Sequence, residues 1–245
     1  MSRWWILLAT ACASASTAPN EVQNEAPADP TLAPLQRVQM CFFGAVNAED
    51  GANPRLAQLC ETLPDLVRND VSGHPAFEIV ELDDAIDVMF DVLDQDGDGR
   101  ITDADRVIID LMAYSWGGVN STRIDLHNDE RVGHLVDTER PLIGRLVLID
   151  PFIPPADVPL ELRGQLERVW VYGHTEAPTW DCSIGAPLAP YIGRPVDCST
   201  TTAPCTNYDL SIDREVGHCS IVDEVGEWAL ANLRGEDPAP PELIR

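Results

Sequence analysis

The chain is short of positive charge. Its 245 residues carry 16 Lys and Arg against 41 Asp and Glu, giving a formal net charge of −25 and a pI near 4.2. That balance excludes nucleic acid as an expected partner, because phosphate contacts need a basic surface. It also excludes electrostatic docking on anionic lipid headgroups. Long apolar runs are missing too: no stretch beyond the first residues is long enough to span a bilayer. There is no internal repeat, so solenoid and propeller architectures fall away. The length permits one sizeable core, and one domain is the natural count.

The N-terminus has the make-up of a targeting segment. Arg3 supplies the positive charge, Trp4 to Ala9 form a short apolar core, and small residues follow. Leu8-Ala9-Thr10-Ala11-Cys12 resembles a bacterial lipobox, with Ala9 where a leucine is preferred. The resemblance implies lipidation of Cys12 and a membrane anchor through that lipid. Ordinary cleavage after Ala13-Ser14-Ala15 is the alternative. Both routes remove Cys12 and leave Cys41, Cys60, Cys182, Cys198, Cys205 and Cys219, an even set able to form three disulfides in an oxidising compartment. The expected product is exported: an outer-membrane or cell-surface lipoprotein, or a secreted or periplasmic protein. Residues 1–12 read as the signal peptide, 13–35 as a Pro-, Ala- and Ser-rich tether, 36–235 as the domain, and 236–245 as a loose tail.

Strand-like and helix-like patterns alternate along the domain. Val38 to Phe43, Val107 to Tyr114, Arg145 to Ile149 and Val169 to Tyr172 read as strands. Arg55 to Leu63, Glu81 to Leu93 and Ile221 to Leu233 have apolar residues at helical spacing. Residues 174–211, rich in Cys, Pro and Thr, read as a disulfide-stapled loop region. The alternation predicts an α/β fold with a mostly parallel central sheet and helices on both faces.

One strand ends on a candidate nucleophile. Val-Ile-Ile-Asp-Leu-Met-Ala-Tyr leads straight into Ser115-Trp116-Gly117-Gly118. A sharp strand-to-helix turn needs small residues two before and two after the serine, and Ala113 and Gly117 stand there. A neutral hydroxyl attacks an acyl carbon poorly and needs a neighbouring base. Of the five histidines, His218 follows Gly217, precedes the last helix and adjoins Cys219, which could staple its loop. For the acid, Asp150 closes the Arg145-Leu146-Val147-Leu148-Ile149 strand before Pro151, while Glu176 and Asp181 lie after the next strand. All three stay open as candidates.

Serine, acid and histidine in this order resemble the α/β-hydrolase superfamily, with A-x-S-x-G in place of G-x-S-x-G. The Leu148-Ile149-Asp150-Pro151 stretch looks most like lipases that carry the acid on the strand after the elbow. The resemblance implies an α/β-hydrolase-like fold and cleavage of carboxylic esters or lipids by Ser115, His218 and Asp150. It also implies an oxyanion hole from the backbone N–H of Trp116, with a second donor at Ala45, where Phe43-Gly44 replaces the family's frequent His-Gly. A monomer is expected.

A second motif runs from Asp94 to Asp105, Asp-Gln-Asp-Gly-Asp-Gly-Arg-Ile-Thr-Asp-Ala-Asp. Carboxylates at positions one, three and five (Asp94, Asp96, Asp98), the Arg100 carbonyl at seven and glycine at six resemble an EF-hand calcium loop. Asp105 takes the place of the usual glutamate at twelve. The implied cofactor is a structural Ca²⁺, since a strand and not a second helix leaves the loop. The rival expectation is a non-catalytic calcium-binding surface lipoprotein that keeps the fold without the chemistry.

Overall fold

The computed structural model describes residues 34–44, 53–68, 82–151, 159–174, 195–210 and 216–238. The chain divides into a unit over Met1–Leu32 and a unit over Ala33–Arg245, and every described residue lies in the second. The signal segment, Cys12 and nearly all of the expected tether fall outside the described residues. In chain order the elements are β1 (Gln36–Phe42), α1 (Asn53–Cys60), α2 (Leu82–Leu93), β2 (Ile101–Thr102), β3 (Val107–Tyr114), α3 (Ser115–Thr122), β4 (Val136–Asp137), β5 (Ile143–Ile149), β6 (Leu160–Glu161), β7 (Leu166–Gly173), β8 (Val196–Asp197), β9 (Cys205–Asp209) and α4 (Ile221–Leu233).

Five of these strands form one sheet in the order β1-β3-β5-β7-β9, and every pairing is parallel. Parallel strands need long crossovers, and α1 and α2 lie between β1 and β3 while α3 lies between β3 and β5. All eight residues of β3 are buried, as a strand covered on both faces must be. Its alternate residues feed two cores. Ile109, Leu111 and Ala113 pack with Ala85, Ile86, Met89 and Leu93 of α2 and with Val119 of α3. Met112 and Tyr114 pack on the opposite side with Leu56 and Leu59 of α1 and with Ile221, Val222, Val225 and Ala229 of α4. The chain is therefore of the α/β class, with a parallel sheet between helices.

The elbow strand and the last helix fall on their expected bounds, and other edges move by a few residues. The region 174–211 differs: among its described residues it holds β8 and β9, not only loop. β9 is an edge strand in which Tyr208 alone is buried, stacked on Tyr172. Five residues with one inward side chain leave almost no alternation to read. Cys198 and Cys205 bracket the turn into β9 as a disulfide, and Cys41–Cys60 ties β1 to α1. Cys219 is also disulfide-bonded, and Cys182 lies outside the described residues. These bonds are consistent with an oxidising compartment. No helix among the described residues is long and apolar enough to cross a membrane. In the tail expected to be loose, Asp237 is held: it pairs with Arg168 at 2.9 Å and accepts from Trp170 Nε1 at 3.3 Å.

Candidate active site at the carboxyl edge of the sheet

The register aligns three strand ends. Tyr114 pairs with Ile149, and Ile149 with Tyr172, so Ser115 and Asp150 leave the sheet side by side, next to Gly173 at the end of β7. In open parallel sheets this carboxyl edge is where ligands bind.

Two backbone distortions fall there. Among the described residues, Ser115 at φ 54° and Asp150 at φ 41° are the only non-glycine residues in the left-handed region. That conformation costs an L-residue roughly 1–2 kcal/mol, so the surroundings must hold it. At Ser115 the turn is enforced from both sides. The Gly117 N–H donates to the Phe43 carbonyl at 3.1 Å, and a Cβ on Gly117 would sit 2.4 Å from that oxygen. A Cβ on Gly44 would lie 3.0 Å from the Ser115 Cβ. The small residue that the elbow motif requires is thus set by the chain crossing from β1. At Asp150 the backbone N–H donates to the Tyr172 carbonyl at 2.6 Å, and Pro151 lies against Gly118 of α3.

The three side chains meet in a line. His218 Nε2 is 2.9 Å from Ser115 Oγ, and His218 Nδ1 is 2.6 Å from Asp150 Oδ2. A carboxylate can only accept, so Nδ1 carries the proton and the bare Nε2 accepts from the serine hydroxyl. All three residues are buried, Asp150 completely. Burial alone would push the Asp150 carboxyl up. Hydrogen bonds from His174 and His218 outweigh it and hold the group down at about 2. Tyr114 braces the histidine from the elbow side, its ring stacked on the imidazole and its hydroxyl donating to the His218 carbonyl.

Asp150 is the acid brought to His218, while Glu176 and Asp181 lie outside the described residues. Trp116 is in the first turn of α3, where backbone N–H groups have no partner within the helix and face outward for an anion. Ala45 lies outside the described residues, but Phe43 and Gly44, which lead to it, pass over the elbow.

Sequence reasoning missed His174. It stands one residue past β7 and is as buried as the acid. Its Nδ1 is 3.1 Å from Asp150 Oδ1 and its backbone N–H donates to the same oxygen at 3.2 Å. The signal was its position: it is the polar residue just beyond a strand that neighbours the Asp150 strand.

The acidic loop is a separate place, on the way from α2 to β3. Oxygens of Asp94, Asp96 and Asp98 lie within 4.8 Å of one another. Asp94 accepts from the backbone of Gly97, Asp98 and Gly99, and Gly99, the glycine at position six, makes the sharp turn at φ 83°. Ile101 is fully buried in the core below. Three hard oxygen donors fit a hard cation. Asp105 does not join them: its carboxylate accepts from the Gln95 and Thr102 backbone and the Thr102 hydroxyl. Those bonds outweigh its desolvation and lower its pKa. An aspartate is one methylene shorter than the usual glutamate, and its reach is used in closing the loop. Arg100 donates its N–H to Asp98 and its guanidinium approaches Asp137 at 3.6 Å.

No family model matches the chain, and no curated protein or solved structure does.

Proposed function

We propose that the chain is an exported serine hydrolase of the α/β-hydrolase type, acting on carboxylic esters in the manner of a lipase or esterase. The observation that carries this is the Ser115–His218–Asp150 line, with contacts of 2.9 and 2.6 Å, at the carboxyl edge of a parallel sheet. Ser115 Oγ attacks the ester carbonyl as its proton passes to His218 Nε2. Asp150 holds the imidazole in the needed tautomer and offsets the charge it acquires. The oxyanion is received by the N–H of Trp116 and by a second donor on the loop after Gly44, for which Ala45 is the proposal. The imidazolium then protonates the departing alcohol, leaving an acyl-serine. Water, deprotonated by His218, releases the acid and restores the hydroxyl. No step needs a metal.

The acidic loop is assigned a structural cation, with Ca²⁺ proposed on the hardness of its oxygen donors. Asp94, Asp96 and Asp98 would hold it, and the Arg100 carbonyl would add a fourth oxygen. It would staple the segment that leads into β3 and so support Ser115 indirectly.

Hydrolysis of p-nitrophenyl esters by the purified mature protein tests the reading. The expected result is saturable turnover that Ser115→Ala reduces by at least about 10³-fold with the fold intact. Equal turnover by wild type and variant would remove Ser115 from the chemistry.

A further inference from the structure

Asp150 carries two imidazoles, one on each oxygen. The mechanism above uses only His218. The other ring, His174, is buried against the same carboxylate on its other oxygen. Its environment is anionic on several sides. Asp150 meets it from the end of β5, and Asp209 acts on it from β9. Tyr208 of β9 lines the same cavity of about 20 Å³ that His174 and Asp209 border. His218 lies across the shared carboxylate on the loop before α4. The second ring nitrogen of His174, Nε2, is buried and has no hydrogen-bond partner among the described residues. Burial works against a charged His174, but the bonds and charge of Asp150, the Val216 carbonyl and Asp209 together raise its pKa above the ordinary histidine value.

We propose that His174 is a positioning residue of the triad, fixing Asp150 through Oδ1 so that Oδ2 is presented to His218, and setting by its own charge how strongly Asp150 acts on His218. The inference rests on the serine-hydrolase reading for its consequence and on the two-imidazole geometry for its substance. Three donors aim at one carboxylate, and two of them come from His174. These two bonds remove the rotation that would otherwise swap the oxygens. When His174 is protonated it cancels part of the Asp150 charge. The imidazolium that His218 becomes during turnover is then less stabilised. When His174 is neutral, Asp150 acts on His218 in full.

The test is His174→Asn. The asparagine amide can replace the Nδ1 donor but cannot take a charge, so positioning is kept and electrostatic control is lost. The acid limb of kcat/KM should move to higher pH by on the order of one unit, as expected for removing a charge a carboxylate's width away. Activity on the alkaline side should stay within a fewfold of wild type. His174→Phe, which removes the donor as well, should lower kcat at every pH, and His174→Asn should restore most of that loss. Nitrogen NMR of the wild-type imidazoles supplies a readout that needs neither turnover nor a variant. His174 should hold a proton on Nδ1 throughout and should titrate above the ordinary histidine value. An Asn variant with an unmoved acid limb, or a His174 protonated only on Nε2, overturns the proposal. Absence of hydrolysis in wild type alongside the expected His174 spectrum would overturn the function and leave the imidazole pair standing.

Discussion

Tyr114 and His218 are joined across more than a hundred residues of chain: the phenol donates to the His218 carbonyl at 2.8 Å and the two rings stack with centroids 5.0 Å apart. The residue before Ser115 thus fixes the histidine proposed to activate it. Tyr114→Phe keeps the stack and loses one hydrogen bond, which is worth about 1 kcal/mol, or roughly a fivefold loss in kcat/KM. Tyr114→Ala also removes the ring and should cost more. Steady-state kinetics on both variants check the order. A Phe variant as impaired as the Ala variant would mean that the stack contributes nothing.

The acid assignment makes a ranked prediction. Asp150→Asn should lower ester turnover by at least about 10³-fold, because the amide no longer fixes the tautomer or offsets the imidazolium. Glu176→Gln and Asp181→Asn should be mild. The opposite ranking would move the acid to the segment after β7.

Much of this site was legible in the sequence, for physical reasons. The run from Val107 to Tyr114 is apolar enough to be a strand covered on both faces, and Ala113 and Gly117 mark a turn with no space for larger groups. Asp150 was one of three candidates because a carboxylate before a proline is also a common strand terminator. Two features needed the fold. His174 has no local pattern and acquires meaning only when β5 and β7 pair and put it beside Asp150. Asp110 breaks the apolar run of β3, and its partners, Arg37 and Arg145, come from the two flanking strands. β9 escaped notice because an edge strand buries too little to leave a period.

Gly117 carries a steric prediction. A methyl there would meet the Phe43 carbonyl at 2.4 Å, a contact that the backbone must move to relieve. Overpacking of this kind costs about 1–3 kcal/mol. Gly117→Ala should therefore lower the melting temperature by several degrees and reduce turnover, since the loop beside the oxyanion position shifts with Phe43. Calorimetry and kinetics on one preparation read both effects. An unchanged melting temperature would contradict the packing of β1 against the elbow.

Acid should weaken the fold in a definite window. Folded, Asp150 stays ionised down to about 2, against an ordinary value of 3.8. The folded state therefore binds fewer protons than the unfolded chain between those values. The stabilisation is complete above the ordinary value and is lost as pH falls toward about 2. Urea midpoints at successive pH values should fall more steeply for wild type than for Asp150→Asn across that window. Parallel curves would show that Asp150 is not the strongly ionised group of the site.

Cation binding is testable apart from chemistry. A ligand that binds only the folded state adds about 2.7 kcal/mol at one hundred times its dissociation constant. Calcium should raise the melting temperature, and Asp94→Ala combined with Asp98→Ala should abolish the response. Esterase activity at low temperature should largely survive chelation. Complete loss of turnover in a chelated protein that remains folded by circular dichroism would place the cation in the chemistry itself.

The central claim is that Ser115 is a nucleophile activated by His218, and covalent labelling addresses it most directly. A fluorophosphonate probe reacts with a serine that has a base at hydrogen-bond distance and ignores ordinary hydroxyls. Intact-mass analysis of the mature protein should show a single adduct, mapped to the peptide containing Ser115, that is absent from Ser115→Ala and strongly slowed in His218→Ala. A folded wild-type protein that stays unlabelled, or an adduct that persists in Ser115→Ala, would contradict the account.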